Sequence, residues 1–263
     1  MTVAFWPSAR TRKRWRRGFN RSSTVSQVLM GVLVATAAAL AINGIYQVIR
    51  KPSELFFPVS GTLYKTPAET WRQYAPLFRE YATDAIPPDF LAAVAQVEGS
   101  GNPIVRTYWR WTWSLHPFSI YRPASSAVGM YQITDGTFEE ARHYCIRDHA
   151  VVADGPWNDW HSCWFNSLYS RVIPAHAVEL TSADLDHAVG QILARHPVRS
   201  PSREHLQALA AVIHLCGAGA GDLYARRGFR LSEGQRCGDH RVSDYLARVN
   251  GMRLTFDRLA AGQ

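Results

Sequence analysis

A long uncharged stretch near the N-terminus constrains this chain more than any other feature of its sequence. No Asp, Glu, Lys or Arg occurs between Ser22 and Ile49, and residues 28–42 are almost wholly apolar. A helix of about 20 apolar residues is enough to span the hydrocarbon core of a bilayer. The sequence therefore predicts a single transmembrane anchor over residues 24–49.

The charges around this stretch predict its orientation. Residues 1–51 contain nine of the 29 Lys and Arg residues and no acid, so the remainder is nearly neutral, with 20 basic and 21 acidic residues. Basic residues before a membrane helix stay in the cytoplasm, which predicts a basic cytoplasmic tail over residues 1–23 and an exported body. A signal peptide cleaved among the small residues 37–41 is the alternative. We favour the anchor because apolar residues continue to Ile49.

The near-neutral charge of the body argues against nucleic acid as a partner. A nucleic-acid-binding domain would carry its positive charge on the folded part, so no nucleic-acid partner is expected.

In an oxidising compartment the four cysteines would pair, and neighbours in sequence suggest Cys145–Cys163 and Cys216–Cys237 among the three possible pairings. A zinc site is the weaker alternative because no two cysteines have ligand-like spacing. We expect neither a metal nor a cofactor.

The body is predicted to be a mainly α globular domain. Residues 50–67 are rich in proline and predict an extended linker, and residues 68–263 predict one domain. Helices are expected over about 68–82, 87–98, 175–179, 182–195, 202–216 and 242–249, with a further helix beginning near Thr137 and at most one β-hairpin.

One carboxylate stands out in this body. Leu91, Ala95 and Glu98 fall on one face of a short apolar helix, which ends abruptly in a glycine-rich turn. An acid on an apolar helix face, at the negative end of the helix dipole, is easier to keep protonated than ionised. Glu98 is thus a candidate general acid. The alternative is a frayed helix end at which Glu98 meets water.

Two further stretches allow a structural or a functional interpretation. Residues 108–123 are crowded with aromatic rings, which could fill the core of an irregular loop or stack on sugar faces along a groove. Residues 129–136 place Tyr131 and Gln132 between two glycines. This stretch could be a simple turn, or it could offer hydrogen-bonding groups to a substrate.

Four short motifs occur in a distinctive order along the body. Residues 97–103 read Val-Glu-Gly-Ser-Gly-Asn-Pro, residues 127–134 read Ala-Val-Gly-Met-Tyr-Gln-Ile-Thr, residues 216–221 read Cys-Gly-Ala-Gly-Ala-Gly, and residues 245–249 read Tyr-Leu-Ala-Arg-Val. They resemble, in the same order, four motifs of the lytic transglycosylases of the soluble-lytic-transglycosylase (SLT), goose-lysozyme-like group. The first of these carries the catalytic acid of that family.

The resemblance, which covers roughly residues 75–250, implies a lysozyme-like fold and a peptidoglycan substrate. It implies cleavage of the β-1,4 bond between N-acetylmuramic acid and N-acetylglucosamine, with Glu98 as the sole acid and base and a 1,6-anhydro product. The location implied is the bacterial inner membrane, crossed once, with the catalytic domain in the periplasm. The residues implied to bind substrate are Ser126, Gly129, Met130, Tyr131, Gln132, His214, Gly217 and Tyr245.

The chain departs from the family pattern at two places. Gly99 follows the acid where the family has Ser, and Cys216 stands where the family has a Tyr that bonds the catalytic carboxyl. His214 or Tyr131 is the candidate to replace that contact.

Two rival functions share most of these features. A hydrolytic muramidase would differ only in its product. A non-catalytic peptidoglycan-binding scaffold subunit would keep the fold but lose the chemistry. Envelope-spanning secretion and conjugation machines commonly carry an anchored enzyme of this family, so a secretion or conjugation machine is a further partner that the resemblance implies.

Overall fold

The computed structural model describes residues 23–159, 161–196 and 201–262 of the chain. The basic tail predicted over residues 1–23 lies outside these ranges except for its last residue, Ser23.

The described part of the chain is mainly helical, as the sequence predicts. The helices are α1 Thr24–Arg50, α2 Phe57–Ser60, α3 Pro67–Glu80, α4 Pro88–Gly99, α5 Asp135–Ala141, α6 Pro174–Arg195, α7 Arg203–Cys216, α8 Ala218–Arg226 and α9 Val242–Ala261. Three two-stranded sheets pair β1 Trp109–Trp111 with β2 Tyr121–Pro123, β3 Tyr144–Arg147 with β4 Ala150–Ala153, and β5 Arg236–Cys237 with β6 His240–Arg241.

The chain divides into two compact units. One contains the residues up to Pro52 together with Trp111–Arg122, and the other contains Ser53–Arg110 together with the chain from Pro123 onward. We call the second unit the body.

Helix α1 belongs to the first unit and is long and apolar enough to cross a membrane, which confirms the sequence prediction at that level. The side chain of Ser23 caps it by accepting a hydrogen bond from the Ser26 backbone N–H. Its apolar side chains are exposed along most of its length, whereas the polar Asn43 and Gln47 are buried. This inverts the pattern of a helix in a water-soluble core, and it fits a helix whose surroundings are lipid.

The core of the body is built around α4. Phe90, Leu91 and Val94 are fully buried, and so are the three alanines of this helix. A helix that is apolar on all sides must be surrounded by other elements, and α3 and α9 pack directly against it. The central position of α4 explains why its sequence combines small and branched apolar residues.

Three features of the body differ from the sequence predictions. The predicted extended linker contains a 3-10 helix, Pro52–Phe56, and the short helix α2. Residues 174–195 form one helix rather than two, because the Ser182 hydroxyl donates to the Tyr81 carbonyl at the end of α3 and does not cap a new helix. Two additional hairpins form besides the single one expected.

Helix α8 is also absent from the sequence prediction, which expected the glycines after α7 to end regular structure. Gly217 has φ +82° and ψ 166°, and it serves at once as the C-cap of α7 and the N-cap of α8. A positive φ costs glycine little, so the chain turns sharply there and resumes a helix.

Two disulfides link Cys145 to Cys163 and Cys216 to Cys237, which confirms the pairing expected from sequence neighbours. The first ties β3 to the segment preceding the 3-10 helix Trp164–Leu168. The second ties the C-terminal end of α7 to β5. The first thus holds an irregular segment to a strand, and the second joins a helix to a strand.

Asp184, on α6, makes the stability of the body depend on pH. Burial first, and then the nearby charge of Glu140, raise the pKa of Asp184 to about 7. In the unfolded chain this carboxyl titrates near its ordinary value of about 4. Its contribution to stability is therefore fully present below about pH 4 and is lost as the pH rises through about 7.

We expect Asp184→Asn to match the wild type in stability near pH 4 and to exceed it by ~4 kcal/mol above pH 7, since Asn carries no charge to bury. Thermal unfolding of both proteins across this range, followed by circular dichroism, measures the difference. A difference that stays constant with pH would contradict the assignment.

Candidate active site

Glu98 lies in the last turn of α4, where the central helix of the body reaches the surface. Its side chain is 20% exposed, in contrast to the fully buried residues earlier in the same helix. Ser100 ends the helix in a left-handed conformation with φ 48°, and its backbone N–H donates to the Gln96 carbonyl. The helix therefore holds the carboxylate rigidly at a point that solvent or a ligand can reach.

The turn after Glu98 packs tightly on the segment that the sequence predicted to bind substrate. A Cβ at Gly99 would lie 2.8 Å from Met130 Cα and 2.9 Å from Met130 O, closer than such atoms approach. The backbone of Met130 thus occupies the space that a side chain at position 99 would need. This contact fixes the spacing between Glu98 and residues 126–134.

A network of backbone hydrogen bonds shapes residues 126–134. Gly129 has φ +78°, and a Cβ there would lie 2.3 Å from the Arg171 carbonyl oxygen. The Gln132 side-chain amide donates to the Gly129 carbonyl at 2.9 Å, and the backbone N–H of Gln132 donates to the same carbonyl at 3.0 Å. Gln132 itself adopts φ 49°. The glycine and the glutamine thus form a closed turn.

His214, near the C-terminal end of α7, faces Glu98. Its Nε2 lies 3.9 Å from Glu98 Oε1, and its side chain is 12% exposed. Burial lowers the pKa of His214, while the Glu98 charge and a hydrogen bond with the Tyr131 backbone oppose that shift. The imidazole is therefore neutral at neutral pH, and it does not supply a fixed positive charge to the carboxylate.

Tyr245, on α9, is a second neighbour of the Glu98 carboxylate. It is 1% exposed, and burial raises its pKa well above the ordinary value, with the charge of Glu98 and a hydrogen bond to it as further causes. The Tyr245 hydroxyl nevertheless lies buried without a partner at good hydrogen-bonding geometry among the described residues. The phenol is thus near the carboxylate but not aligned with it.

Among the residues that the structure describes, Glu98 is the only acid whose charge acts on the pKa of either His214 or Tyr245. The arrangement is one carboxylate, one neutral imidazole and one buried phenol. Such a set can donate and accept a proton, but it offers no second carboxylate as nucleophile or base. Nor do the described residues contain a cluster of three His, Cys, Asp or Glu side chains that could hold a metal ion.

The structure separates the predicted substrate-binding residues into two groups. His214 and Tyr245 flank Glu98. The side chains of Met130 and Tyr131 are fully buried, and Tyr131 Oη donates to the Leu91 carbonyl at 3.1 Å. Of the two candidates to replace the family Tyr, His214 therefore contacts the carboxylate, whereas Tyr131 faces the core.

The remaining predicted residues have backbone or capping roles. The Ser126 hydroxyl accepts a hydrogen bond from the Asp135 N–H at 3.1 Å at the start of α5. Gly217 is exposed at the junction of α7 and α8, next to Cys216. Residues 127–131 and 133 are buried, so within residues 126–134 a ligand could reach only Ser126, Gln132 and Thr134.

Part of the aromatic stretch is structural. Trp109 Nε1 and Arg106 Nη1 each donate to Glu54 Oε2 at 2.8 Å, and Glu54 is 5% exposed. The ion pair with Glu54 compensates the charge of Arg106. These two side chains anchor the 3-10 helix Pro52–Phe56 to the rest of the body.

A cavity of about 620 Å³ lies elsewhere in the body and is not part of this site. It is lined by Phe90 of α4 and by residues of α7 and α9, among them Gln207 and Arg253. Phe90 precedes Glu98 by two helical turns, which places the two about 12 Å apart along α4. We locate the candidate site by its chemistry at Glu98, not by the size of this cavity.

Arg171 is the residue of the site that the sequence analysis missed. Its Nη1 donates to the carbonyls of Ser126 at 3.1 Å and Ile133 at 2.8 Å, and its Nη2 lies 2.8 Å from Asp135 Oδ1. Arg171 therefore clamps both ends of the segment that packs on Gly99. An isolated arginine in a loop carries no motif, so only the folded chain brings it to the site.

We expect Arg171→Met to loosen this segment, because two carbonyls lose their donor. Hydrogen exchange in residues 126–133 should accelerate, and any activity that depends on Glu98 should fall ~10-fold, the equivalent of about 1.4 kcal/mol. Arg142→Met is the matched control, since Arg142 also lies over the Phe138 ring but pairs with Glu139. Equal exchange in the two variants would contradict the role of Arg171.

The geometry of this site stands without a known relative to support it. Comparisons with protein-family models, with curated proteins and with solved structures find no match to the chain.

Proposed function

We propose that the protein is a membrane-anchored lytic transglycosylase of peptidoglycan, with a lysozyme-like body in the periplasm and α1 in the bacterial inner membrane. The observation that carries this proposal is the placement of Glu98, half a turn from a rigid helix end and within 3.9 Å of His214. The motif resemblance supplies the substrate class, and the geometry supports one acid and base acting alone.

The reaction uses Glu98 twice. As an acid, its carboxyl group protonates the oxygen between N-acetylmuramic acid and N-acetylglucosamine as that bond breaks. As a base, the resulting carboxylate accepts the proton of the muramoyl C6 hydroxyl, whose oxygen bonds to the anomeric carbon and forms the 1,6-anhydro ring. The proton returns to Glu98, so the cycle consumes no water and needs no second carboxylate.

The groups beside Glu98 support this cycle in different ways. Neutral His214 leaves the carboxyl free to carry the proton, because no buried cation pairs with it permanently. The buried Tyr245 adds an apolar ring beside Glu98 and takes the place of water there. Arg171 holds the segment that carries the partly exposed Ser126 and Gln132, whose hydroxyl and amide groups suit the acetamido substituents of the glycan.

Product analysis tests the proposal. The full chain, in detergent or vesicles, is incubated with purified sacculi, and the released muropeptides are analysed by mass spectrometry. We expect 1,6-anhydromuramoyl ends. A product heavier by one water would instead identify a hydrolytic muramidase, and binding to sacculi without any release would identify a scaffold subunit.

A further inference from the structure

The segment Trp111–Tyr121, which we call the aromatic hairpin, is not used by the proposed reaction. Its sequence, Trp-Thr-Trp-Ser-Leu-His-Pro-Phe-Ser-Ile-Tyr, contains no Asp, Glu, Lys or Arg and is bounded by the exposed Arg110 and Arg122. The side chains of Trp113 and Leu115 are fully exposed, and that of Trp111 is 68% exposed. Large apolar side chains clustered in this way mark an interaction surface.

The aromatic hairpin packs against the C-terminal turns of α1. Asn43 Nδ2 donates to the Tyr121 carbonyl at 2.7 Å, and Gln47 Nε2 donates to the Phe118 carbonyl at 2.6 Å. The ring of Tyr46 stacks on that of Phe118 at 4.5 Å between centroids. The two polar side chains that interrupt the apolar surface of α1 thus bind hairpin backbone. An unpaired amide in hydrocarbon would be costly, so these bonds suit a helix in a bilayer.

These contacts fix the depth of the aromatic hairpin along α1. At about 1.5 Å per residue, Asn43 lies ~10 Å and Gln47 ~5 Å before Arg50, the first charged residue after the apolar run. Each interfacial region of a bilayer adds about 5–8 Å to the hydrocarbon core. With Arg50 among the headgroups, the hairpin backbone lies at the boundary between headgroups and acyl chains. Trp and Tyr are enriched at this depth.

We propose that the aromatic hairpin is a membrane-interface segment whose Trp113 and Leu115 side chains contact phospholipid beside the C-terminal end of α1. The lipid partner follows from three observations: the continuity of the hairpin with α1, the absence of charge between Arg110 and Arg122 in the sequence, and the depth set by Asn43 and Gln47. The inference rests on the membrane anchor in the proposed function and is independent of the chemistry at Glu98.

A glycan-binding surface is the competing explanation for exposed rings, and the composition argues against it. Sugar sites combine aromatic faces with hydrogen-bonding side chains that recognise hydroxyl groups. Here Leu115, Pro117, Phe118 and Ile120 are exposed and offer no such group, and among the exposed residues between Trp113 and Tyr121 His116 alone has a hydrogen-bonding side chain. Apolar and aromatic side chains flanked by two arginines match an anionic lipid surface better.

Depth-dependent fluorescence quenching tests the proposal on the full chain reconstituted in phosphatidylcholine–phosphatidylglycerol vesicles. Because the native cysteines are disulfide-bonded, Leu115→Cys provides a thiol for an environment-sensitive fluorophore. We expect a blue-shifted emission and the loss of most of the fluorescence when the vesicles contain lipids spin-labelled near the headgroup. Val34→Cys, in the middle of α1, and Trp157→Cys, 80% exposed on the body, carry the same label for comparison.

Each outcome of the quenching experiment either supports the proposal or overturns it. Quenching at position 115 without quenching at position 157 supports the proposal. An unquenched label at position 115 overturns it, and the emission wavelength of the label at position 34 then tells whether the hairpin alone or the whole anchor lies outside the lipid. A label at position 115 that responds to added glycan strands and not to spin-labelled lipid overturns it in favour of sugar binding. None of these readouts requires activity, so failure here is distinct from failure of the proposed function.

Discussion

Glu98→Gln should reduce the release of muropeptides from sacculi by ~10³-fold or more, because the amide can neither give nor accept the proton that the reaction moves. The side chain keeps its size and its capacity to accept a hydrogen bond, so the thermal unfolding temperature should stay close to that of the wild type. Initial rates of release, measured at equal protein concentrations, give the ratio.

Two controls make this result specific. Glu139→Gln, at an exposed position of α5, removes a carboxylate of the body without touching Glu98, and it separates a general effect of charge from the loss of proton transfer. Binding of both variants to intact sacculi should equal that of the wild type, which distinguishes lost chemistry from lost affinity. Substantial activity in Glu98→Gln would remove Glu98 from the mechanism, and with it the main support for a single-carboxylate enzyme.

Gly99→Ser should destabilise the body by ~3 kcal/mol and also reduce activity, although serine is the residue that the resembled family carries there. The new Cβ would meet the Met130 backbone at 2.8–2.9 Å. Backbone cannot rotate away as a side chain can, so the cost falls at the upper end of that for overpacking. Chemical denaturation gives the change in the free energy of unfolding.

A helix elsewhere in the body provides the matched control. Gly190 is exposed within α6, and a Cβ there would meet no atom within 4 Å. Gly190→Ser should therefore change the stability by no more than about 0.5 kcal/mol, and it should favour the helix slightly if anything. A Gly99→Ser protein as stable as Gly190→Ser would show that Met130 is not packed against Gly99 as described.

The sequence was most informative where one segment alone determines the structure. The apolar run of α1, the helix that ends at Glu98 and the pairing of sequence-neighbouring cysteines each follow from local pattern and composition. It was least informative where a contact with a residue distant in sequence determines the structure. Ser182 was expected to begin a new helix, but its hydroxyl binds the Tyr81 carbonyl of another helix instead. No local pattern contains that carbonyl.

The residues of the candidate site also differ in whether local sequence could identify them. Glu98 could be singled out because an acid on an apolar helix face conflicts with its surroundings. Arg171 could not, because its importance comes from two carbonyls that lie about 40 residues away in sequence. The inward orientation of Tyr131 could not be predicted either. A tyrosine between glycines can contact a ligand or pack in the core, and only its neighbours in the fold tell which.

The bond between Cys216 and Cys237 makes the structure near Glu98 depend on the redox environment. Cys216 lies two residues after His214, so this covalent link secures the end of the helix that faces Glu98. In a reducing cytoplasm the link is absent, and the helix end is held there by packing alone. Closing a loop of this length is worth ~3 kcal/mol to the folded state. Reduction should therefore loosen the end of α7 that carries His214, whereas oxidation holds it opposite Glu98.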